Sequence, residues 1–262
     1  YLLFILDTYL VYNFCIMTNN NDKIKIYYQF ATAKRKTDNG KVEVIKRKNF
    51  LKNHISLNTE ITLGIPSRGP GSIETEYDEA IAIPNVVRSI IKAEKNGFDV
   101  AIISCFSDPG LDACREKVKI PVIGSGENAM LLASQLGNNF SILSPLETNI
   151  ANFNKKILSM GLEKKYCSTR AIGMSVLDLA KNKKKALKKL TAVALKTTKE
   201  DNADVLILGC MSMAFHDITA EIQNKLKIPV INPVKASLLC AENLVKMGIS
   251  HSKIAYPTPS IK

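Results

Sequence analysis

The chain has 262 residues, of which 46% are hydrophobic and 23% are charged, a balance typical of a globular protein and not of a disordered one. The net charge of +12 comes largely from lysine, but no docking or stacking module accompanies it, so we do not expect nucleic acid as a partner. Six cysteines without short paired spacings and three histidines outside any ligand motif predict reduced thiols in a cytoplasmic protein and no metal site.

Residues 1–16 form an apolar leader that precedes Met17 and a polar stretch. The leader contains Asp7 and Asn13, has no basic lead, and is shorter than the ~20 apolar residues that a membrane span needs. We therefore expect no membrane association of the mature domain. One interpretation takes Met17 as the native start and the leader as extraneous. A signal peptide or a membrane anchor is the alternative.

From about residue 23 onward, short β-branched runs alternate with helical stretches, a pattern typical of parallel sheets covered by helices. Eight strands are predicted, in two sets of four: Ile24–Phe30, Glu60–Ile65, Asp99–Cys105, Pro121–Ile123, Phe140–Leu143, Cys167–Ile172, Asp204–Gly209 and Pro229–Ile231. Apolar periodicity predicts these helices: Asn85–Lys95, Leu111–Lys117, Glu127–Leu136, Ile150–Met160, Ala186–Lys199, Thr219–Lys225 and Ala236–Met247. The predicted fold class is α/β, with two pseudo-symmetric doubly wound lobes, each built on a four-stranded, mainly parallel sheet.

Two short stretches of the chain repeat each other. Residues 98–107 and residues 203–212 both read Asp-Val, an apolar run, and then Cys-x-Ser, and the sequence Lys-Ile-Pro-Val-Ile follows each copy. Ligands of doubly wound sheets bind beyond the carboxyl ends of the strands. Cys105 and Cys210 should therefore face one cleft between the lobes. Burial of two thiols by chance is the alternative, since cysteine is common in cores, but the repeated context favours a function.

Two facing thiols can move a proton between opposite faces of a carbon atom next to a carbonyl. One thiolate removes the hydrogen, and a thiol on the other side returns a proton, the two titrating as a coupled pair. Cysteine suits both roles because its ordinary pKa of about 8.5 is readily lowered. Cys105 and Cys210 are the candidate catalytic residues. The residues that follow them are candidate substrate contacts: Phe106, Ser107, Met211 and Ser212. For the two serines, turn capping is the alternative.

Several segments resemble the hydantoin and allantoin racemases of the aspartate/glutamate racemase superfamily. They are Ser104–Asp112, Pro121–Met130, Leu208–Ala214, Arg68–Ala80 and Gly248–Lys253, which together span roughly residues 60–256. The resemblance implies racemisation without a cofactor by two cysteines that match Cys105 and Cys210. It also implies that the final helix returns to the first lobe. The lobes then comprise residues 17–123 plus 234–262, and residues 124–233.

The residues after the second cysteine favour one class of substrate. Racemases of free amino acids carry a histidine soon after it, whereas this chain has residues 211–213, Met-Ser-Met. The resemblance therefore implies a small neutral cyclic substrate, a 5-substituted hydantoin or allantoin. An aspartate or glutamate racemase and a non-catalytic small-molecule binding protein on the same scaffold are the alternatives. A decarboxylase is disfavoured because it needs only one cysteine.

One part of the family pattern is missing. Hydantoin racemases carry Asn-Pro-Asn after the first strand, where this chain runs through residues 29–32, Gln-Phe-Ala-Thr. In the equivalent turn of the second lobe, Ser144 is a further candidate substrate contact. We expect a homo-oligomer, with an isologous dimer as the default.

Overall fold

The computed structural model describes residues 23–33 and 40–260, so the predictions on the apolar leader and Met17 lie outside the described residues. The elements, in chain order, are β1 (Ile24–Phe30), α1 (Gly40–Lys52), β2 (Thr59–Gly64), α2 (Glu76–Lys95), β3 (Val100–Ser104), α3 (Leu111–Lys117), β4 (Val122–Gly124), α4 (Ser125–Leu136), β5 (Phe140–Ser144), α5 (Ile150–Ser159), β6 (Tyr166–Ala171), α6 (Val176–Lys181), α7 (Lys183–Glu200), β7 (Val205–Leu208), α8 (Met211–Ala214), α9 (Thr219–Leu226), β8 (Val230–Ile231) and α10 (Pro233–Met247).

The strands form two sheets of four, with the orders β2-β1-β3-β4 and β6-β5-β7-β8. Every strand pairing in both sheets is parallel. The predicted α/β class and the two four-stranded lobes are confirmed, and β3 and β7, which precede the two cysteines, occupy the same position in their sheets. All residues of both strands are buried, as expected for parallel strands with helices on both faces.

The aspartate that begins each repeat has a structural role. The carboxylate of Asp99 accepts a hydrogen bond from the backbone N–H of Lys25 at 2.7 Å. In the second lobe, the carboxylate of Asp204 accepts the N–H groups of Asn138 and Asn139, both at 2.9 Å. In each lobe the aspartate thus ties the start of the third strand to the start of the first. The bonds lie at the ends of the strands opposite to the cysteines.

Three helices are absent from the sequence prediction, and four start earlier than predicted, α2 by nine residues and α4, α7 and α10 by two or three. Helices α6 and α8 are too short to show a periodic pattern, and α1 carries lysines and arginine around most of its surface. Helix α2 begins nine residues before Asn85 because Thr75 and Asp78 form a capping box at its start, and Pro84 lies within it. No helix in the described ranges has both the length and the apolar composition of a membrane span.

The carboxyl-terminal residues return to the first sheet. Helix α10 packs against β3, β4 and α4, and Gly248 ends it with a left-handed φ of 65°. Beyond it, Lys253 Nζ donates to the carbonyls of Arg115 and Val118 at the end of α3, both at 2.6 Å. His251 Nε2 accepts the N–H of Val122 on β4 at 2.5 Å. The division of the chain between two lobes near residues 123 and 233 stays a prediction.

We predict that His251 makes the stability of the protein depend on pH. Its bond with Val122 requires a neutral ring, and burial lowers the pKa of His251 from 6.5 to about 4. The contribution is therefore present above pH 6.5 and is lost as the pH falls from 6.5 towards 4. The free energy of unfolding should fall over that window by less than about 1.4 kcal/mol per pH unit, since His251 is only partly buried.

Urea unfolding at a series of pH values checks this. His251→Gln keeps an acceptor but cannot titrate, so the slope attributed to His251 should disappear. His54→Gln serves as the control and should retain it. Equal slopes for wild type and His251→Gln would contradict the prediction.

Candidate active site

A cavity that is partly open to solvent lies at the carboxyl ends of β3 and β7. Residues 104–107, at the end of β3 and just beyond it, form one side, and residues 209–212, which follow β7, form the other. In the part of the chain that the structure describes, no group of three His, Cys, Asp or Glu side chains converges as metal ligands would.

The structure brings most of the predicted site residues together. The following line the cavity: Cys105, Phe106, Ser107, Cys210, Met211 and Ser212. Ser144 is not among the lining residues. It is fully buried, its hydroxyl donates to the carbonyl of Leu146 at 2.8 Å, and its neighbour Pro145 faces the cavity instead. The hydroxyl of Ser144 thus has the turn-capping geometry that serines often adopt.

The loop that carries Cys105 is held by Asp108. The carboxylate of Asp108 accepts the N–H groups of Gly126 and Glu127, at 2.9 and 2.8 Å, at the start of α4, and pairs with Lys156 from α5. A carboxylate is stabilised at this end of a helix by the unpaired N–H groups and the helix dipole. Asp108 itself adopts a left-handed φ of 56°. These bonds fix the turn between β3 and α3 and therefore the position of Cys105.

The thiol of Cys105 is a weak acid in this setting. Its Sγ lies 3.3 Å from the hydroxyl oxygen of Ser107. Burial raises the pKa of Cys105 to about 12, the hydrogen bond with Ser107 opposes the rise, and the carboxylates of Glu79 and Asp108 add to it. Near neutral pH, before any substrate reacts, the side chain is therefore a thiol, which can donate a proton.

Cys210 is positioned by the turn between β7 and α8. The N–H of the preceding Gly209 donates to the carbonyl of Leu143 at 2.9 Å, which continues the pairing with β5 beyond the end of β7. The carbonyl of Cys210 accepts the N–H groups of Met213 and Ala214, both at 3.1 Å, and so begins α8. The Cys210 side chain is 8% exposed and faces the cavity.

Arg47 is a site residue that the sequence does not reveal. It lies on α1, is 4% exposed, and is the one charged side chain among the described residues that line the cavity. Its Nη2 donates to Ser212 Oγ at 2.9 Å and pairs with Glu43. The guanidinium stacks on the ring of Phe215, 4.6 Å from its centroid, in cation–π geometry. A buried arginine on an unpredicted helix leaves no periodic signal that could have identified it.

Comparison with known proteins agrees with this geometry. A family model described as Asp/Glu/Hydantoin racemase matches residues 47–241, a stretch that includes both cysteines. The chain belongs to this racemase family. Membership makes it an isomerase, an enzyme of the racemase class.

Individual relatives extend the likeness over most of the chain. The hydantoin racemase of Pseudomonas sp. (strain NS671) is 35% identical over 205 residues, which is 78% of this chain and 82% of that protein. The hydantoin racemase of Paenarthrobacter aurescens is 33% identical over 210 residues, covering 79% and 88% of the two chains. The structure of allantoin racemase from Klebsiella pneumoniae superposes with a TM-score of 0.84 at 28% identity, covering 92% of this chain and 95% of that one.

We predict that Gly126→Ala destabilises the protein by displacing the loop of Cys105. A Cβ at Gly126 would lie 1.8 Å from the carbonyl oxygen of Phe106, a backbone atom that cannot move without the loop. Such overpacking costs roughly 1–3 kcal/mol in the free energy of unfolding. Gln135→Ala, at an exposed position of the same helix, is the control and should stay within about 0.5 kcal/mol of wild type. Chemical denaturation measures both, and a wild-type midpoint for Gly126→Ala would disprove the expectation.

Proposed function

We propose that the protein racemises a 5-substituted hydantoin or an allantoin-like carbon acid, without a cofactor, by proton transfer between Cys105 and Cys210. The observation that carries this proposal is that both cysteines, each following the third strand of its lobe, line one cavity. The hydantoin and allantoin racemases to which the chain is similar support the choice of substrate.

The reaction needs one thiolate and one thiol. The thiolate takes the hydrogen at the stereocentre as a proton, the C–H bond breaks, and its electron pair moves onto the neighbouring carbonyl oxygen to form an enolate. The thiol on the opposite face then gives its proton to the carbon, and the carbonyl is restored with inverted configuration. In a hydantoin ring the carbonyl and the ureido nitrogen acidify this hydrogen, so general acid–base catalysis by two thiols is sufficient.

The walls of the cavity suit a flat, neutral ring. Phe106 and Phe153 meet edge to face with their centroids 5.0 Å apart, and Ile73 and Val176 add apolar surface. Because the oxygen of Ser212 accepts a bond from Arg47, its own O–H is left to donate to a substrate carbonyl. The apolar walls limit the water around the enolate that forms in the reaction. A hydrogen bond to the enolate oxygen is stronger in these surroundings than it would be in water.

The alternative substrates fit the lining less well. A free amino acid such as aspartate or glutamate carries an ammonium group, and no acidic side chain is found among the described residues that line the cavity. A cyclic amide has no such charge to satisfy. A non-catalytic binding protein would not require two thiols on opposite sides of one cavity. The homo-oligomer and the cytoplasmic location stay predictions.

Isotope exchange tests the substrate. Single enantiomers of 5-substituted hydantoins, allantoin, aspartate and glutamate are incubated with the protein in D₂O, and optical rotation and deuterium incorporation are followed together. We expect loss of rotation and uptake of one deuterium at the stereocentre for a cyclic substrate only. Activity confined to the amino acids would overturn the cyclic substrate. Absence of exchange with every compound would favour the binding protein.

Single cysteine variants test the mechanism. Cys105→Ala and Cys210→Ala should each lower the rate of racemisation by about 10²–10⁴-fold or more, because each removes one of the two acid–base groups. The remaining thiol can still exchange the hydrogen of one enantiomer without inverting it. Cys167→Ala, on β6 and outside the cavity, is the matched control and should racemise at the wild-type rate. Full racemisation by either cavity variant would exclude the two-cysteine mechanism.

A further inference from the structure

The two copies of the Cys-x-Ser motif lie next to side chains of opposite charge. After β3, the hydroxyl of Ser107 lies 3.3 Å from the sulfur of Cys105 and faces the carboxylate of Glu79 on α2. After β7, the hydroxyl of Ser212 accepts a bond from Arg47 on α1 at 2.9 Å. The two lobes therefore repeat the backbone and the serine but reverse the charge behind it.

On the side of Cys105 the charge is negative. Glu79 is oriented by Asn152 of α5, whose Nδ2 donates to its carboxylate at 2.8 Å. Asp108 is a second carboxylate facing the sulfur, and Lys156 of α5 is bonded to Asp108. Since Lys156 balances the charge of Asp108, Glu79 gives this side its net negative charge, and ionisation of Cys105 would add a second. Like charges disfavour the thiolate of Cys105.

On the side of Cys210 the charge that faces the cavity is positive. The partner of Arg47, Glu43, is not a lining residue, so the cavity is adjacent to the guanidinium end of the pair. Arg47 Nε is buried without a hydrogen-bond acceptor in the described part of the chain. Tyr28 and His216 also lie within electrostatic range of Arg47. Both are uncharged near neutral pH, because burial raises the pKa of Tyr28 and lowers the pKa of His216. A buried cation acts strongly in such low-dielectric surroundings.

We propose that this asymmetry fixes the resting state of the enzyme, with Cys210 as the thiolate that accepts the proton and Cys105 as the thiol that returns it. Arg47 and Glu79 are positioning residues: they act on the sulfurs through charge and through Ser212 and Ser107, and they do not react. The catalytic meaning of this assignment rests on the function proposed above. The order of ionisation itself belongs to the protein without substrate.

The assignment means that the two substrate enantiomers react with different protonation states of the enzyme. An enantiomer whose hydrogen faces Cys210 reacts with the resting enzyme: its proton moves to Cys210, and the proton of Cys105 moves to carbon. The enzyme is then left with Cys210 as a thiol and Cys105 as a thiolate. A proton must pass from Cys210 to Cys105, through solvent, before the resting state returns. The other enantiomer reacts with the form present before that transfer.

Thiol alkylation without substrate tests the order of ionisation. The intact protein is treated with iodoacetamide at a series of pH values, and the rate at each cysteine is read by mass spectrometry of its peptide. The midpoint pH of each rate profile reports the ionisation of that sulfur, whereas its plateau reports access. We expect the midpoint of Cys210 to lie below that of Cys105. Equal midpoints, or the reverse order, would overturn the proposal.

Four variants test the two positioning residues. Arg47→Gln should raise the midpoint of Cys210 by about one pH unit or more, and Glu79→Gln should lower that of Cys105. The controls are Lys48→Gln and Glu76→Gln, which remove the same charges from exposed positions of the same helices and should move neither midpoint. Unchanged midpoints in Arg47→Gln and Glu79→Gln would show that these residues do not set the ionisation.

Arg47→Gln could lower stability as well as change the ionisation of Cys210, because it leaves the partly buried Glu43 without its bond from Arg47. Two further variants separate these effects. The double variant Glu43→Gln/Arg47→Gln removes both charges, and Arg47→Lys keeps the positive one. We expect the double variant to behave like Arg47→Gln, and Arg47→Lys to retain the low midpoint of Cys210; the opposite pattern would overturn the role of charge. Alkylation requires no turnover, so a failed racemase assay and a failed ionisation order are distinguishable results.

Discussion

Parallel pairing is the constraint on which the site depends. Because every strand of a sheet points the same way, the turns after β3 and β7 emerge at the carboxyl edges of their sheets. A cysteine two positions or fewer beyond each strand then has little freedom in where it can lie. The bonds of Asp108 to the start of α4 and of Gly209 to β5 remove what freedom remains. The positions of the two cysteines are thus set first by the topology of the sheets and second by side-chain hydrogen bonds.

Much of this arrangement could be predicted from the sequence, and the rest was hidden for physical reasons. Each predicted strand lies within one residue of the observed one, because buried parallel strands are short apolar runs with clear ends. The cysteines were identified by repetition. Arg47 was not, since α1 has apolar residues on no single face and a buried arginine looks like a solvated one. Glu79 was missed because apolar periodicity placed the start of α2 at Asn85, whereas the capping box of Thr75 and Asp78 starts the helix at Glu76.

The end of β1 brings aromatic and polar side chains next to Arg47. The ring centroid of Phe30 lies 5.6 Å from Cζ of the Arg47 guanidinium, and Thr32, just beyond the strand, lines the cavity. The charged side chain on this side of the cavity therefore comes from a helix, α1, and not from the end of a strand.

The hydrogen bonds of Asp99 and Asp204 bear on how the loops of this protein could be replaced. Each carboxylate joins two neighbouring strands at their amino ends, which lie farthest from the cavity. The strands are therefore held in alignment at a distance from the turns that carry the cysteines. Those turns can be exchanged while the register is retained. The scaffold is therefore suited to loop grafting, in which new substrate pockets are installed above an unchanged pair of sheets.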